Sequence, residues 1–331
     1  MKKVFLLLLI FLFSQTISAQ KFFGTEPFAH TYSIVARDTV TGEMGVAVQS
    51  HWFAVGTIVS WGEAGVGVIA TQSFVNPSFG PRGLILLKQG LSAQQVLDLL
   101  IESDEGRDFR QLAILDSKGN AAAYTGKKCI DDAGQIVGSN YSVQANMMLN
   151  DKVWGAMSNT FENSKGNLAD RLLEALDAAQ DVGGDIRGKQ SAAILVVKAK
   201  PTGNIWEDRI VDIRIDDHEN PLKEIRRVYN VHSAYEHMNK GDLAIEHNDM
   251  DLAMKEYSAA ETMFPENEEM KYWHAVTLAN MGKVEESLPL FKEVFNMNDN
   301  WVKLTARLIK PQLLNVSTED LNKILNLSNK K

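Results

Sequence analysis

From Thr31 onward, bulky residues alternate with small or polar ones at a spacing of two. Thr31–Asp38 reads T-Y-S-I-V-A-R-D. After a T-V-T-G-E turn, M-G-V-A-V-Q-S-H sets Val46 and Val48 against Gly45 and Ala47, and later A-G-V-G-V-I-A-T-Q sets Val66 and Val68 against Gly65 and Gly67. A period of two with one bulky and one small face predicts strands that another layer can approach closely. Gln111–Asp116 and Ala121–Thr125 flank S-K-G-N and predict a hairpin. The period then lengthens. Ser92 followed by Gln95 is a capping box, and Val96, Leu97, Leu100 and Ile101 form a stripe behind it, predicting a helix to about Glu102. Val153, Met157 and Phe161, then Leu168, Leu172 and Leu176, predict two more helices packed on a sheet. Ser191–Val197 reads as a buried strand, Arg209–Ile215 alternates again, and Asn220-Pro221 opens a helix. Strand pairs, helices, then strands predict a layered α+β domain rather than a doubly wound parallel sheet.

Beyond about Val231 the pattern is helical throughout. Ala253, Tyr257, Ala260 and Pro265, with Gly241 before them, match positions of a tetratricopeptide repeat. A shift of 34 residues, that repeat's period, carries Met250 to Val284 and Tyr257 to Phe291, with Gly282 in the turn of a second, degenerate copy. Asp299–Leu327 reads as an amphipathic cap on the stack. The expected organisation is a leader over residues 1–19, a lead-in over 20–30, a sandwich domain over 31–230 and a helical, tetratricopeptide-like domain over 231–331.

The leader is expected because Lys2 and Lys3 precede the apolar run Val4–Phe13, and Ile17-Ser18-Ala19 offers small residues for cleavage before Gln20. The run falls short of the ~20 residues that span a bilayer. The implied destination is the periplasm or the medium, with no membrane span after removal of the leader. The formal charge of −8, or −10 without Lys2 and Lys3, and the lack of a basic stripe argue against nucleic acid as a partner. The single cysteine, Cys129, excludes an intrachain disulfide and reads as a small strand residue. No G-x-G-x-x-G or phosphate-loop pattern supports a nucleotide cofactor. Asp216, Asp217 and His218 are adjacent, which suits a helix cap better than one ion, so neither cofactor nor metal is expected.

Thr31–Asp38, Gly45–Ser50, Ala64–Gln72, Asn76–Gly83, Gly183–Ala193 (G-G-D-I-R-G-K-Q-S-A-A) and Asp216–Pro221 (D-D-H-E-N-P) occur in one order. Together they resemble the domain-of-unknown-function family 1028, placed in the N-terminal-nucleophile (Ntn) hydrolase superfamily. The resemblance implies a four-layer αββα sandwich and an amide-hydrolase ancestry. In such an enzyme the first residue's hydroxyl is the nucleophile and its own α-amine the general base, a role its pKa near 7.7–8.0 suits. Thr31 occupies that place, but cleavage after Ala19 would leave eleven residues ahead of it, so a second cut between His30 and Thr31 is required.

Around Thr31 the candidate oxyanion donors are Gln144 and Asn146. Candidate substrate-binding residues are Ser50 and His51 at a strand end, Asn76 and Arg82 in a Pro/Gly-rich loop, and Asp185 and Arg187 after the Gly183-Gly184 turn. Two readings stay open. One is an exported hydrolase of an amide bond in a small molecule or peptide. The other is a non-catalytic cell-envelope binding protein whose helical repeats recruit a protein partner.

Overall fold

The period-two segments form two antiparallel sheets in the computed structural model, which describes residues 28–328. In the first, β5 (Gly67–Phe74) pairs with β1 (Phe28–Ala29) and β4 (Ser60–Glu63) along one edge and with β6 (Arg110–Asp116) along the other, and β7 (Ala121–Thr125) follows β6. The second runs β11 (Arg209–Ile215), β10 (Ser191–Val197), β3 (Met44–Ser50), β2 (Thr31–Arg37), β9 (Tyr141–Ala145), β8 (Gly134–Gly138). The expected leader, and the lead-in before Phe28, lie outside the described residues.

Alternation decides what each face buries. Val35, Met44, Val46, Val48, Leu195 and Val197 of the second sheet share one core with Val68, Ala70, Ala113 and Leu115 of the first. The sheets therefore pack face to face. On the far side of the first sheet, Ile69, Leu112 and Ile114 meet Phe79, Val96 and Leu100 of α1 (Phe79–Lys88) and α2 (Ala93–Glu102). Burying a side chain such as Phe79 completely contributes roughly 1.5–3 kcal/mol. The far side of the second sheet carries α3 (Val153–Asn163) and α4 (Leu168–Asp181), as their leucine and aromatic stripes require. Ser92 caps α2 with the reciprocal bonds of a capping box.

The structure departs from expectation at three places. Asn76–Gly83 is not all loop, because α1 begins at Phe79. Pro81 falls in the first helical turn, where no intrahelical N–H is lost, and the glycines serve packing: a Cβ on Gly80 would lie 2.2 Å from the Trp61 ring. Gly65 is a turn residue with φ +71°, so β5 starts only at Gly67. Cys129 lies in a turn, not a strand, and its buried thiol donates to the Arg110 carbonyl at 3.3 Å. Burial raises its pKa, which suits an inert thiol.

The chain divides into two compact units between Ile225 and Arg226. The helix α5 (Pro221–Glu246) includes that boundary, and α6 (Met250–Met263), α7 (Glu268–Asn280), α8 (Val284–Met297), α9 (Asn300–Arg307) and α10 (Thr318–Leu325) follow it in the C-terminal unit. Helix ends recur at an interval of 34: Glu246 and Asn280, Met250 and Val284, Met263 and Met297. The left-handed turn residues recur with them, Asn248 at φ +58° and Gly282 at φ +76°. Gly241 lets α5 lie against Tyr257, whose ring would sit 2.9 Å from a Cβ there. Among the described residues no helix is long and apolar enough to cross a membrane.

Candidate functional site

The strands facing the gap between the sheets turn polar at one end of the sandwich. On β2 the inward sequence runs Val35, Ser33, Thr31; on β3, Val46, Val48, Ser50; on β10, Leu195, Ala193, Ser191. On β5 it runs Val68, Ala70, Gln72, and on β6 Leu115, Ala113, Gln111. Register lines these ends up, because Ser50 pairs with Thr31 on one side and Ser191 on the other, and Gln72 pairs with Gln111. Every one of these polar residues is buried, as are Gln144 and Asn146.

Buried amides and hydroxyls must be paired, and here they pair with each other. Ser33 Oγ donates to Gln72 Oε1 at 2.5 Å and accepts from Gln144 Nε2 at 2.5 Å. Gln72 Nε2 donates to Gln111 Oε1 (2.7 Å) and the Thr31 carbonyl (3.1 Å). Gln111 Oε1 also accepts from Asn146 Nδ2 (2.9 Å), while Gln111 Nε2 donates to the Ala145 carbonyl and Thr125 Oγ1, both at 2.8 Å. Two non-glycine residues in left-handed backbone flank this network, Ser73 at φ +73° beside Gln72 and Met147 at φ +60° beside Asn146. Such conformations cost about 1–3 kcal/mol each and persist where the surroundings enforce them.

Thr31 sits at the head of the network. Its Oγ1 donates to the Ala29 carbonyl at 2.8 Å, and its main-chain nitrogen is joined to His30. The His30 carbonyl, the group on the other side of that bond, accepts from Ser50 Oγ at 2.5 Å and from Arg187 Nη2 at 2.8 Å. Arg187 is aimed by Asp185, whose side chain is fully buried: Nε donates to Oδ1 at 3.0 Å and Nη2 to Oδ2 at 2.7 Å. The Arg187 and His51 amides also donate to that carboxylate. Glycines at 183, 184 and 188, all at positive φ, fold this loop against the sandwich.

His30 Nδ1 lies 2.8 Å from Asn146 Oδ1. With Asn146 Nδ2 pointing to two oxygens, Nδ1 is the donor and Nε2 carries the lone pair. Burial foremost, and Arg187 in addition, hold the His30 pKa below its ordinary value. The folded protein therefore resists protonating His30 while the unfolded chain takes up that proton near pH 6.5, so stability falls as pH drops below about 6.5. In the uncut Thr31→Ala protein, adding His30→Gln is expected to lose this part of the acid sensitivity, seen as a smaller shift in urea midpoint between pH 7.5 and pH 5 than in Thr31→Ala alone.

Of the residues singled out from sequence, Thr31, Ser50, Asn146, Asp185, Arg187 and the His51 backbone meet around one peptide bond. Gln144 and Asn146 do not sit as oxyanion donors, because their amides are spent within the network and on the Thr31 carbonyl. Ser50 and Arg187 stand on the carbonyl instead. Asn76 and Arg82 belong to the α1 side: Asn76 Oδ1 accepts from Ser78, and Arg82 Nη2 donates to Ser103 Oγ at 2.9 Å. Sequence reading missed His30, Ser33, Gln72 and Gln111. For Ser33, Gln72 and Gln111 the signal is a polar residue in phase with an apolar alternation; His30, just before β2, has no such signal. Among the described residues no cluster of side chains is arranged to hold a metal ion.

A two-sheet domain with a buried polar centre is the class these observations define. The description of DUF1028, a family of unknown function, matches residues 31–225. The chain belongs to that family. Among solved structures it is similar to protein SPO2555 from Silicibacter pomeroyi, also of DUF1028, with 33% identity and a TM-score of 0.55 over 61% of this chain and 85% of that one. It is more distantly similar to Anbu (ancestral beta-subunit) from Yersinia bercovieri, with 12% identity and a TM-score of 0.32 over 60% and 93% of the two chains. No curated protein matches it.

Proposed function

We propose that the N-terminal unit is an Ntn-hydrolase-like αββα sandwich, matured by cleavage between His30 and Thr31 and acting afterwards on an amide bond of a small molecule or peptide. One observation carries this reading: the carbonyl of the bond to be cut is gripped by a guanidinium and a hydroxyl, beside the hydroxyl that would attack it. Thr31 Oγ adds to the His30 carbonyl carbon, negative charge grows on the oxygen, and Arg187 and Ser50 stabilise it. The C–N bond then breaks, the Oγ proton goes to the departing nitrogen, and the acyl group rests on Oγ as an ester. Water cleaves the ester, leaving a His30 carboxylate and a free Thr31 amine next to its hydroxyl. The carbonyl of an incoming amide would occupy the place of the His30 carbonyl, with the freed amine as base.

Intact mass and N-terminal sequencing of purified protein test this. The expected chain begins at Thr31, and Thr31→Ala stays uncut and inactive. A functional protein whose Thr31 nitrogen remains in peptide linkage overturns the mechanism.

The second reading, an exported envelope protein that recruits a protein partner, is favoured by the 34-residue recurrence in the C-terminal unit, which suits tetratricopeptide-like helical hairpins. Partner capture by the full chain but not by one ending at residue 230 would support it; equal capture by both would remove it.

A further inference from the structure

Away from Thr31, a cavity of about 420 Å³ opens at the rim of the sandwich between β4 and β11. Its volume falls within the range of small-molecule sites. One wall is apolar, made by Leu84 and Ile85 of α1 and by Leu195 of β10. Beside Leu195 the lining becomes charged, because the β11 positions paired with Leu195 and Ala193 are Asp212 and Arg214.

The lining holds two arginines, one aspartate and one glutamate, and Lys88 outside it pairs with the glutamate. Arg209 is paired with Asp212, and Glu63 with Lys88 at 2.5 Å. Among the described residues the guanidinium of Arg214, an exposed residue, has neither an ion-pair nor a hydrogen-bond partner, and its stem packs beside Gly56, where a Cβ would come 2.9 Å from Arg214 Cγ and 2.5 Å from Ala193 Cβ. Ser60 also lines the cavity, and among the described residues its buried Oγ has no hydrogen-bond partner. A buried hydroxyl left unpaired costs about 1–3 kcal/mol, which a ligand acceptor would recover. Among the described residues β4 pairs only with β5, and the amides of its other edge are not used within the sheet.

We infer that this rim cavity binds a monocarboxylate with an apolar body. Arg214 takes the carboxylate bidentately, Ser60 Oγ donates to it, and the body lies on Leu84, Ile85 and Leu195. One unpaired cation beside Asp212 suits a single negative charge, and a phosphate dianion would meet the aspartate without a second free cation.

Calorimetric titration of the full-length protein with octanoate, octanamide and octyl phosphate tests the inference. Octanoate is expected to bind saturably and at least about tenfold more tightly than either of the others. Arg214→Gln should abolish the preference over octanamide with circular dichroism unchanged, and Ser60→Ala should weaken octanoate several-fold. Asp212→Asn, which frees Arg209, should tighten it. No saturable octanoate binding, equal affinity for octanoate and octanamide, tighter octyl phosphate, or full octanoate affinity in a folded Arg214→Gln variant overturns the inference.

Discussion

Arg187→Ala is expected to slow the scission proposed for the His30–Thr31 bond by about 10²–10³-fold, the usual effect of deleting one oxyanion donor. The effect should be large because this donor is charged, oriented by a buried carboxylate, and already 2.8 Å from the oxygen concerned. Arg187→Lys keeps the charge but loses the fork that Asp185 grips, so it should recover only part of the rate. Ser50→Ala removes the neutral partner and should cost less. Time courses of precursor and product by intact mass, after synthesis in vitro, would rank the three. An Arg187→Ala chain that matures at the parental rate would show that the guanidinium merely pins the loop.

Gln111→Leu should have the largest effect on stability, a loss of about 2–4 kcal/mol, because each buried polar group left unpaired costs about 1–3 kcal/mol. Leucine is close in size, so volume is not the reason. The substitution strips a partner from Gln72 Nε2, Asn146 Nδ2 and the Ala145 carbonyl at once. Gln72 and Asn146 keep their bonds to the Thr31 carbonyl, which holds the cost below a simple sum. Urea unfolding of the two proteins, with equal slopes, measures the difference. Gln111→Glu is expected to be worse still, since it buries a charge among neutral groups.

Much of the fold is written locally. The strands from Thr31 to Arg37 and Met44 to Ser50 follow their alternation, α2 starts at its capping serine, and the apolar stripes of α3 and α4 face a sheet. The helix at Phe79 was hidden because proline and glycine dominate its first turns, and there close packing on Trp61 outweighs propensity. The site was half legible. Thr31, Ser50, Asp185 and Arg187 stand out as polar residues at strand ends and turns. Which donor meets which oxygen depends on register between strands far apart in the chain, and no local pattern carries that. Gln144 illustrates the difficulty: its amide sits near the right bond but is committed to Ser33.

The charged residues along β11 have a consequence for how the molecule behaves among its own kind. A terminal strand offers unsatisfied backbone groups to any similar chain, and natural sheets discourage such self-templating with ionic side chains. Arg209, Asp212 and Arg214 stud the outermost strand of the six-stranded sheet, while Val211 and Ile213 are buried on its other face beside Val196 and Ile194. Neutralising all three with alanine would leave a smooth ribbon margin, and light scattering should then record association that rises with concentration.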